Sequence, residues 1–425
     1  MKVVMISDME DFGGAAASTG RLADGLCARG HEVIRVLGTR SPTGTRSWVP
    51  RSLHRSERQT LLQKAGRQML PRRFRPGLDR GRVEAWLDCT LSELRPDVVS
   101  VHSLHMQATS GWSVGMVGVA ARHAPVAWRL HDQWSFTGRC AYSFDCRLFT
   151  TGCDERCPTP DEYPQLAPRL IAPAWEERRR LLGSCPNVVA VAQSQWMASM
   201  ARDGLWRGHR IEVVPNGLPL DVWRPGDRHA ARAELGVGEG DVLIAASAGD
   251  WSARYKGGPV LIEALRRVSD PTLTLIILGE SRALPDLSGL RVLRPGFVKD
   301  PLRCASLLSA ADLFVHPALV DNFPNSVLEG IACGVPVVAF RVGGLPDMVR
   351  PGISGWLAAR PDAQSLADCL TNAIAAVRGG LSLRESCRAL AAREYSVEAI
   401  ARSYEAVLGS LGRPGSGDSG GRTAP

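Results

Sequence analysis

Short apolar runs closed by Gly, Pro or Asp recur along the chain, at residues 3–6, 33–37, 98–101, 126–130, 188–191 and 211–214. A second series follows at 242–246, 273–278, 290–293, 313–315, 335–340 and, weakly, 355–357. Runs of this kind, apolar throughout rather than alternating, are what a strand covered on both faces requires, and the intervening segments are long enough for crossover helices. The pattern predicts an α/β protein with two doubly wound parallel sheets in tandem. Turn formers cluster from Pro215-Asn216-Gly217-Leu218-Pro219 to Pro225-Gly226, where the periodicity lapses, which places a break near residue 215. The expected division is residues 1–215, residues 216–395, an amphipathic helix over 396–411, and a Gly/Ser/Pro-rich tail over 412–425 with the composition of a disordered segment.

Length supports the division, because a single core stops growing at about 250–300 residues and the chain has 425. With 44% hydrophobic and 22% charged residues, both halves have the apolar content to bury a core. The N-terminal run meets Asp8 too early for a signal peptide, and no later stretch is apolar enough to span a membrane, so a cytoplasmic protein is expected. The odd count of 11 cysteines fits reduced thiols rather than a disulfide framework.

The net charge of +8 comes almost wholly from arginine, and residues 51–82 carry a dense share of it, interleaved with Leu53, Leu61, Leu62, Met69, Leu70 and Phe74. Two readings stand: a basic surface for the inner face of an anionic membrane, or a solvated helical face. No aromatic interleaving or nucleic-acid motif accompanies the charge, which argues against nucleic acid as a partner.

Strand ends carry the chemistry. After the first run, Gly13 and Gly14 open a helix expected over 18–29, where free N–H groups and a positive dipole favour an anion; tight strand-to-helix turns use glycine for backbone reasons alone. After the run at 242–246, Arg254-Tyr255-Lys256-Gly257-Gly258 sets two cations beside two glycines, suited to a diphosphate or to a solvated turn. After the run at 313–315, Asp321-Asn322-Phe323-Pro324-Asn325-Ser326 leads into a helix that Asn325 or Ser326 should cap and that should run to Gly334. Glu329, about one turn in, either reaches back to ligand hydroxyls or closes a capping box with Ser326.

Taken in order, these pieces resemble glycosyltransferase family 4. Asp321 to Glu329 is similar to its acid-x₇-Glu motif, Lys256-Gly257 to its diphosphate Lys-Gly, Asn216-Gly217 to its interdomain Asn-Gly, Gly13-Gly14 to its Gly-Gly loop, and His131-Asp132 to its His-containing loop. The resemblance covers roughly residues 1–411 and implies the GT-B fold, two Rossmann-like domains facing across a cleft, with the last helix returning to the first domain. It implies a retaining, metal-independent transfer of a sugar from a nucleotide-diphosphate donor, without a cofactor, to a hydroxyl of a glycan or lipid-linked acceptor in surface polysaccharide or lipopolysaccharide assembly. The roles it implies are donor phosphates at Gly13, Gly14, Lys256 and an arginine, ribose hydroxyls at Glu329, sugar hydroxyls at Asp321, and donor contacts at Phe323, Pro324, Asn325 and Ser326, with His131 beside the sugar. The chain departs in having Asp321 where Glu is usual, and Trp251 and Asp250 where the phosphate arginine is usual, so Arg254 is the expected substitute. A sugar-nucleotide epimerase of the same architecture and a non-catalytic glycan-assembly partner are the alternatives.

Cys140, Cys146, Cys153 and Cys157 fall within the loop 137–158, just after His131-Asp132-Gln133-Trp134, as in a subset of the family. They fit either a structural zinc site or buried free thiols. Trp128, Trp134, Phe136, Tyr142 and Phe144 make the same region aromatic, as an acceptor site or satellite core would be. His102 and His105 read as structural.

Overall fold

The computed structural model describes residues 1–10, 13–38, 51–54, 75–105, 112–248, 250–268, 270–279, 287 and 289–411. The first sheet has seven strands: β1 (Lys2–Ser7), β2 (Glu32–Leu37), β3 (Arg51–His54), β4 (Val98–Val101), β5 (Val126–Leu130), β6 (Val188–Ala192) and β7 (Ile211–Val213). They are ordered β3-β2-β1-β4-β5-β6-β7, and every pair is parallel. The second sheet has β8 (Val242–Ala248), β9 (Leu273–Gly279), β10 (Arg291–Gly296), β11 (Leu313–His316), β12 (Val337–Phe340) and β13 (Gly355–Ala358), ordered β10-β9-β8-β11-β12-β13 and parallel throughout. Strand order reverses between β1 and β4 and again between β8 and β11, and ligands of open α/β sheets bind at the carboxyl ends beside such points.

Each sheet is covered on both faces, and strand alternation allots the side chains. Val4 and Ile6 of β1 join one core with Val99 and Val101, while Val3 and Met5 join the opposite one with Leu22 and Leu26 of the helix Gly13–Ala28. That second core is completed by Ile400, Tyr404, Val407 and Leu408 of the helix Val397–Leu411. The chain crosses between the sheets twice, side by side: Leu218 N–H donates to Tyr395 O and Val397 N–H to Leu218 O, both at 2.9 Å. A Cβ on Gly25 would lie 2.8 Å from the Cβ of Ala401, so glycine sets how closely the last helix packs on the first.

Three expectations change. A strand, β3, occupies 51–54 inside the stretch read as basic and partly amphipathic; residues 55–74 of that stretch, Asp11-Phe12 before the first helix, and the tail 412–425 lie outside the described residues. The first helix begins at Gly13 rather than residue 18. The run at 335–340 becomes strand only from Val337, because Gly334, at φ 76°, and Pro336 turn the chain in from the preceding helix. Among the described residues no helix is long and apolar enough to cross a membrane.

Candidate active site

The chain beyond β8 runs through buried Trp251 into a single 3₁₀ turn, Arg254–Lys256, closed by Gly257 at φ 70°. A Cβ on Gly257 would lie 1.9 Å from Pro317 O, so glycine alone lets this turn rest on the chain leaving β11. Tyr255 O there accepts from Leu319 N–H at 2.8 Å. The contact carries Lys256 Nζ to 3.0 Å from Asp321 Oδ2, which also lies 3.4 Å from His316 Nε2. Asp321 Oδ1 accepts from Asn322 N–H at 2.9 Å and from the Tyr142 hydroxyl, of the opposite half, at 3.2 Å. Burial would raise this carboxyl, but the Lys256 ammonium and the His316 ring outweigh it and hold Asp321 far below the usual carboxylate range. Gly343 and Gly344 lie directly beneath: a Cβ on either would fall 2.0 Å from Asp321 O or 1.9 Å from Asn322 O.

The helix Asn325–Ala332 points its start at the same place, and here local sequence misleads. Pro324, not Asn325 or Ser326, is the N-cap residue, and no side chain caps it. Asn325 Nδ2 instead donates across the cleft to Gly14 O at 2.9 Å, and Asn216 Nδ2 donates to Phe323 O at 3.1 Å. The capping box does not form either: Glu329 Oε1 accepts from Arg21 Nη2, of the helix Gly13–Ala28, at 3.0 Å. Burial raises Glu329 and the Arg21 charge opposes that rise.

The first sheet contributes the ends of β5 and β6. His131 follows β5, its Nε2 3.0 Å from His102 Nδ1 and its Nδ1 3.1 Å from Gln193 Nε2. Burial first, then the Arg129 guanidinium, depress it to about 3, so the ring is neutral at any physiological pH. Asp132 Oδ1 accepts from Trp134 N–H at 2.9 Å, and its Oδ2 lies 3.0 Å from His105 Nε2, whose ring stacks on Trp134 with centroids 4.8 Å apart. His102 and His105 are thus partners of the cleft residues, placed behind them.

These groups surround a cavity of about 370 Å³ between the two sheets. Of the residues singled out from sequence, Gly14, His131, Lys256, Asp321, Phe323, Pro324, Asn325 and Ser326 line it. Gly13, Arg254 and Glu329 are not among its walls. Gly13 starts the helix at φ 86°. Arg254 turns outward to Glu162 Oε1 at 3.1 Å and over the Phe144 ring at 4.7 Å, because side chains two apart in a 3₁₀ turn diverge by about 120°. Tyr142 and Phe144, two of the aromatic residues read from sequence as acceptor site or satellite core, also line the cavity, as do Gln193, Asn322 and Tyr255, to which sequence reasoning gave no role; Gln193 stands directly after β6, where the carboxyl-end rule would have found it.

Cys140, Cys146, Cys153 and Cys157 are free thiols, and among the described residues no group of three or more His, Cys, Asp or Glu side chains is disposed to hold a metal ion. Burial pushes the Cys140 thiol up to about 12 and the Cys153 thiol up to about 11.

Residues 12–222 match the family model described as Glycosyltransferase Family 4, and residues 241–376 the one described as Glycosyl transferases group 1. The chain is 32% identical over 218 residues to D-inositol 3-phosphate glycosyltransferase of Mycobacterium avium, covering 47% of this chain and 50% of that protein. The Mycobacterium bovis enzyme of the same name is 34% identical over 217 residues, 47% of this chain and 44% of the relative. The chain thus spans about half the length of the curated relatives it matches. Among solved structures, sucrose-phosphate synthase from Thermosynechococcus elongatus superposes with a TM-score of 0.70 at 20% identity, over 96% of this chain and 98% of that one. HepE from Anabaena, in complex with UDP and glucose, superposes with a TM-score of 0.66 at 19% identity, over 96% and 100%. These likenesses show that the fold is that of GT-B glycosyltransferases.

Proposed function

The chain belongs to glycosyltransferase family 4, and from that premise we propose that it moves a sugar, with retention, from a nucleoside-diphosphate donor to a hydroxyl of a glycan or lipid-linked acceptor in surface polysaccharide or lipopolysaccharide assembly. One observation carries the reading: the ion pair of half-buried Lys256 with buried Asp321 stands in a single cavity with Gly14 and the start of the helix Asn325–Ala332. On this reading Lys256 and the helix-start N–H groups meet the diphosphate, and Asp321, held ionised by Lys256 and His316, takes sugar hydroxyls. Glu329, one turn further in, takes the ribose hydroxyls once Arg21 withdraws.

In the proposed step the bond from the anomeric carbon to the leaving phosphate oxygen breaks, and a bond to the acceptor oxygen forms on the same face. The acceptor proton passes to the departing phosphate. A neutral His131 and an ion-paired Asp321 are poor proton shuttles, so the protein contributes position and charge. Lys256 and backbone dipoles meet the diphosphate charge, which makes the proposed transfer independent of metal; activity abolished by EDTA and restored by Mg²⁺ refutes that part. The basic stretch 51–82 is proposed to rest on anionic lipid, tested by co-sedimentation with phosphatidylglycerol vesicles.

A thermal-shift panel of UDP, GDP, ADP and dTDP tests the donor site, since a ligand at a hundred times its Kd stabilises by about 2.7 kcal/mol. UDP comes first, as the nucleotide bound to HepE. Incubation with labelled nucleotide sugars and lipid extract then separates transfer from an isomerised donor, the epimerase outcome, and from neither. Indifference to every nucleotide overturns the reading.

A further inference from the structure

Asn322 is buried at 2% exposure between the two halves, and its hydrogen bonds admit one orientation. Its Nδ2 lies 3.0 Å from Leu130 O, 3.1 Å from His131 O and 2.8 Å from Gln193 Oε1, while its Oδ1 accepts from Ser194 Oγ at 2.7 Å. Backbone carbonyls only accept, so the atom facing them is the amide nitrogen. Gln193 is fixed in turn: its oxygen meets an N–H of Asn322, which leaves its nitrogen facing His131 Nδ1 at 3.1 Å. An amide nitrogen only donates, so Nδ1 of His131 carries no proton.

The neutral His131 ring therefore bears its proton on Nε2 and donates to His102 Nδ1 at 3.0 Å. His102 then holds its own proton on Nε2, 3.0 Å from Ser100 Oγ, which lies 2.6 Å from the Tyr404 hydroxyl. Thr19 Oγ1, also 3.0 Å from His102 Nδ1, donates to Ala15 O at 2.7 Å. A second proton on His131 would set N–H against the N–H of Gln193. The surrounding charges are Arg129 and Asp132 from the β5 end, and His102 and His105 from the chain after β4; Asp132 is engaged by His105. Only Asp132 favours an imidazolium, and burial with Arg129 prevails.

We propose that Asn322 and Gln193 are positioning residues that lock His131 as the neutral Nε2–H tautomer, keeping positive charge away from the sugar carbon at which cationic charge develops during transfer. The purpose rests on the glycosyl-transfer reading above; the tautomer does not. Gln193→Glu removes the donor to Nδ1 and supplies a carboxylate that accepts from it. In ¹H–¹⁵N two-bond spectra of the full-length protein with labelled histidine, wild-type His131 is expected to be protonated on Nε2 alone from pH 5 to 8. In Gln193→Glu, Nδ1 becomes protonated. Transfer by the wild type is expected to be flat between pH 6 and 8, whereas Gln193→Glu loses roughly tenfold per pH unit below its new histidine pKa. Asn322→Asp, which cannot donate to Leu130 O or His131 O, is expected to give mixed tautomers; if it does not fold, Gln193→Glu decides. A protonated Nδ1 in the wild type overturns the proposal, and so does a Gln193→Glu protein with reduced activity but an unchanged pH profile. A wild type with the expected tautomer that transfers no sugar supports the assignment and overturns the glycosyl-transfer reading.

Discussion

Acidification from pH 7 to 5 tests the buried histidine relay without any substrate. In the unfolded chain a histidine binds a proton below about pH 6.5. Folded, His131 is held neutral down to about 3 by burial and the Arg129 charge. Between those values the unfolded state carries a proton that the folded state lacks, so the contribution of His131 is complete above pH 6.5 and is lost as the pH falls toward the folded value. From pH 7 to 5 the loss comes to about 2 kcal/mol for this one group, against a total stability of about 5–15 kcal/mol. His102 is depressed well below its ordinary value by burial, with the charge of His131 next, and acts in the same direction, as does His316, whose depression by burial Asp321 partly offsets. Glu329 and Asp24 are raised by burial and oppose the trend nearer pH 4.5, which is why the window closes at pH 5. The assay is urea unfolding followed by tryptophan fluorescence at pH 7, 6, 5.5 and 5, for the wild type and for His131→Gln. The stability difference between them should shift by about 2 kcal/mol in favour of the variant on acidification. A difference independent of pH would mean that His131 titrates normally and that the relay is not closed.

Three further outcomes follow from the cleft. Gly344→Ala places a Cβ 1.9 Å from Asn322 O and should cost about 1–3 kcal/mol while lowering transfer; an unchanged melting temperature and rate would show that the glycine pair does not support Asp321. Lys256→Ala strips the buried Asp321 carboxylate of its ammonium partner and should cut the transfer rate by about 10²–10³, with weaker nucleoside-diphosphate binding in calorimetry. Arg21→Ala releases Glu329 and should tighten UDP binding severalfold at neutral pH; unchanged or weaker binding refutes the exchange of Arg21 for ribose.

Strands were legible where both faces are buried. Residues 98–101 and 126–130 become β4 and β5 with the bounds read from sequence, since every side chain in them is enclosed. β3 was not legible because this edge strand, Arg51-Ser52-Leu53-His54, pairs with β2 alone and carries no apolar run. At the site, charge at a strand's carboxyl end marked Lys256 and Asp321. Gln193 and Asn322 are uncharged amides whose meaning arises only when residues 129 positions apart meet. Glu329 lay between a cap and a ligand contact, and neither reading named Arg21, because the partner comes from the first helix of the other half.

Four contacts tie the two halves of the cleft together, and they bear on what a ligand would have to supply. Tyr142 holds Asp321, Arg21 holds Glu329, Asn325 holds Gly14 and Arg254 holds Glu162. The last pair is well exposed and opens at little cost, about 0–1 kcal/mol. The Asp321 carboxylate is buried and that of Glu329 half-buried, and a buried acceptor left without a donor costs about 1–3 kcal/mol, more when charged. On the proposed reading, a donor that displaces Arg21 brings ribose hydroxyls to Glu329, whereas Asp321 keeps Lys256 and the Asn322 N–H when Tyr142 is displaced. A free diphosphate that reaches only Lys256 and the helix start leaves those contacts in place, gaining charge neutralisation without opening the pocket. On the proposed reading, a 2′,3′-dideoxyribose analogue leaves Glu329 without a donor once Arg21 has withdrawn and should be rejected by about tenfold or more. We propose that recognition in this cleft turns on exchange of the Arg21 donor at Glu329, with the phosphate contacts supplying attraction common to every nucleoside-diphosphate sugar.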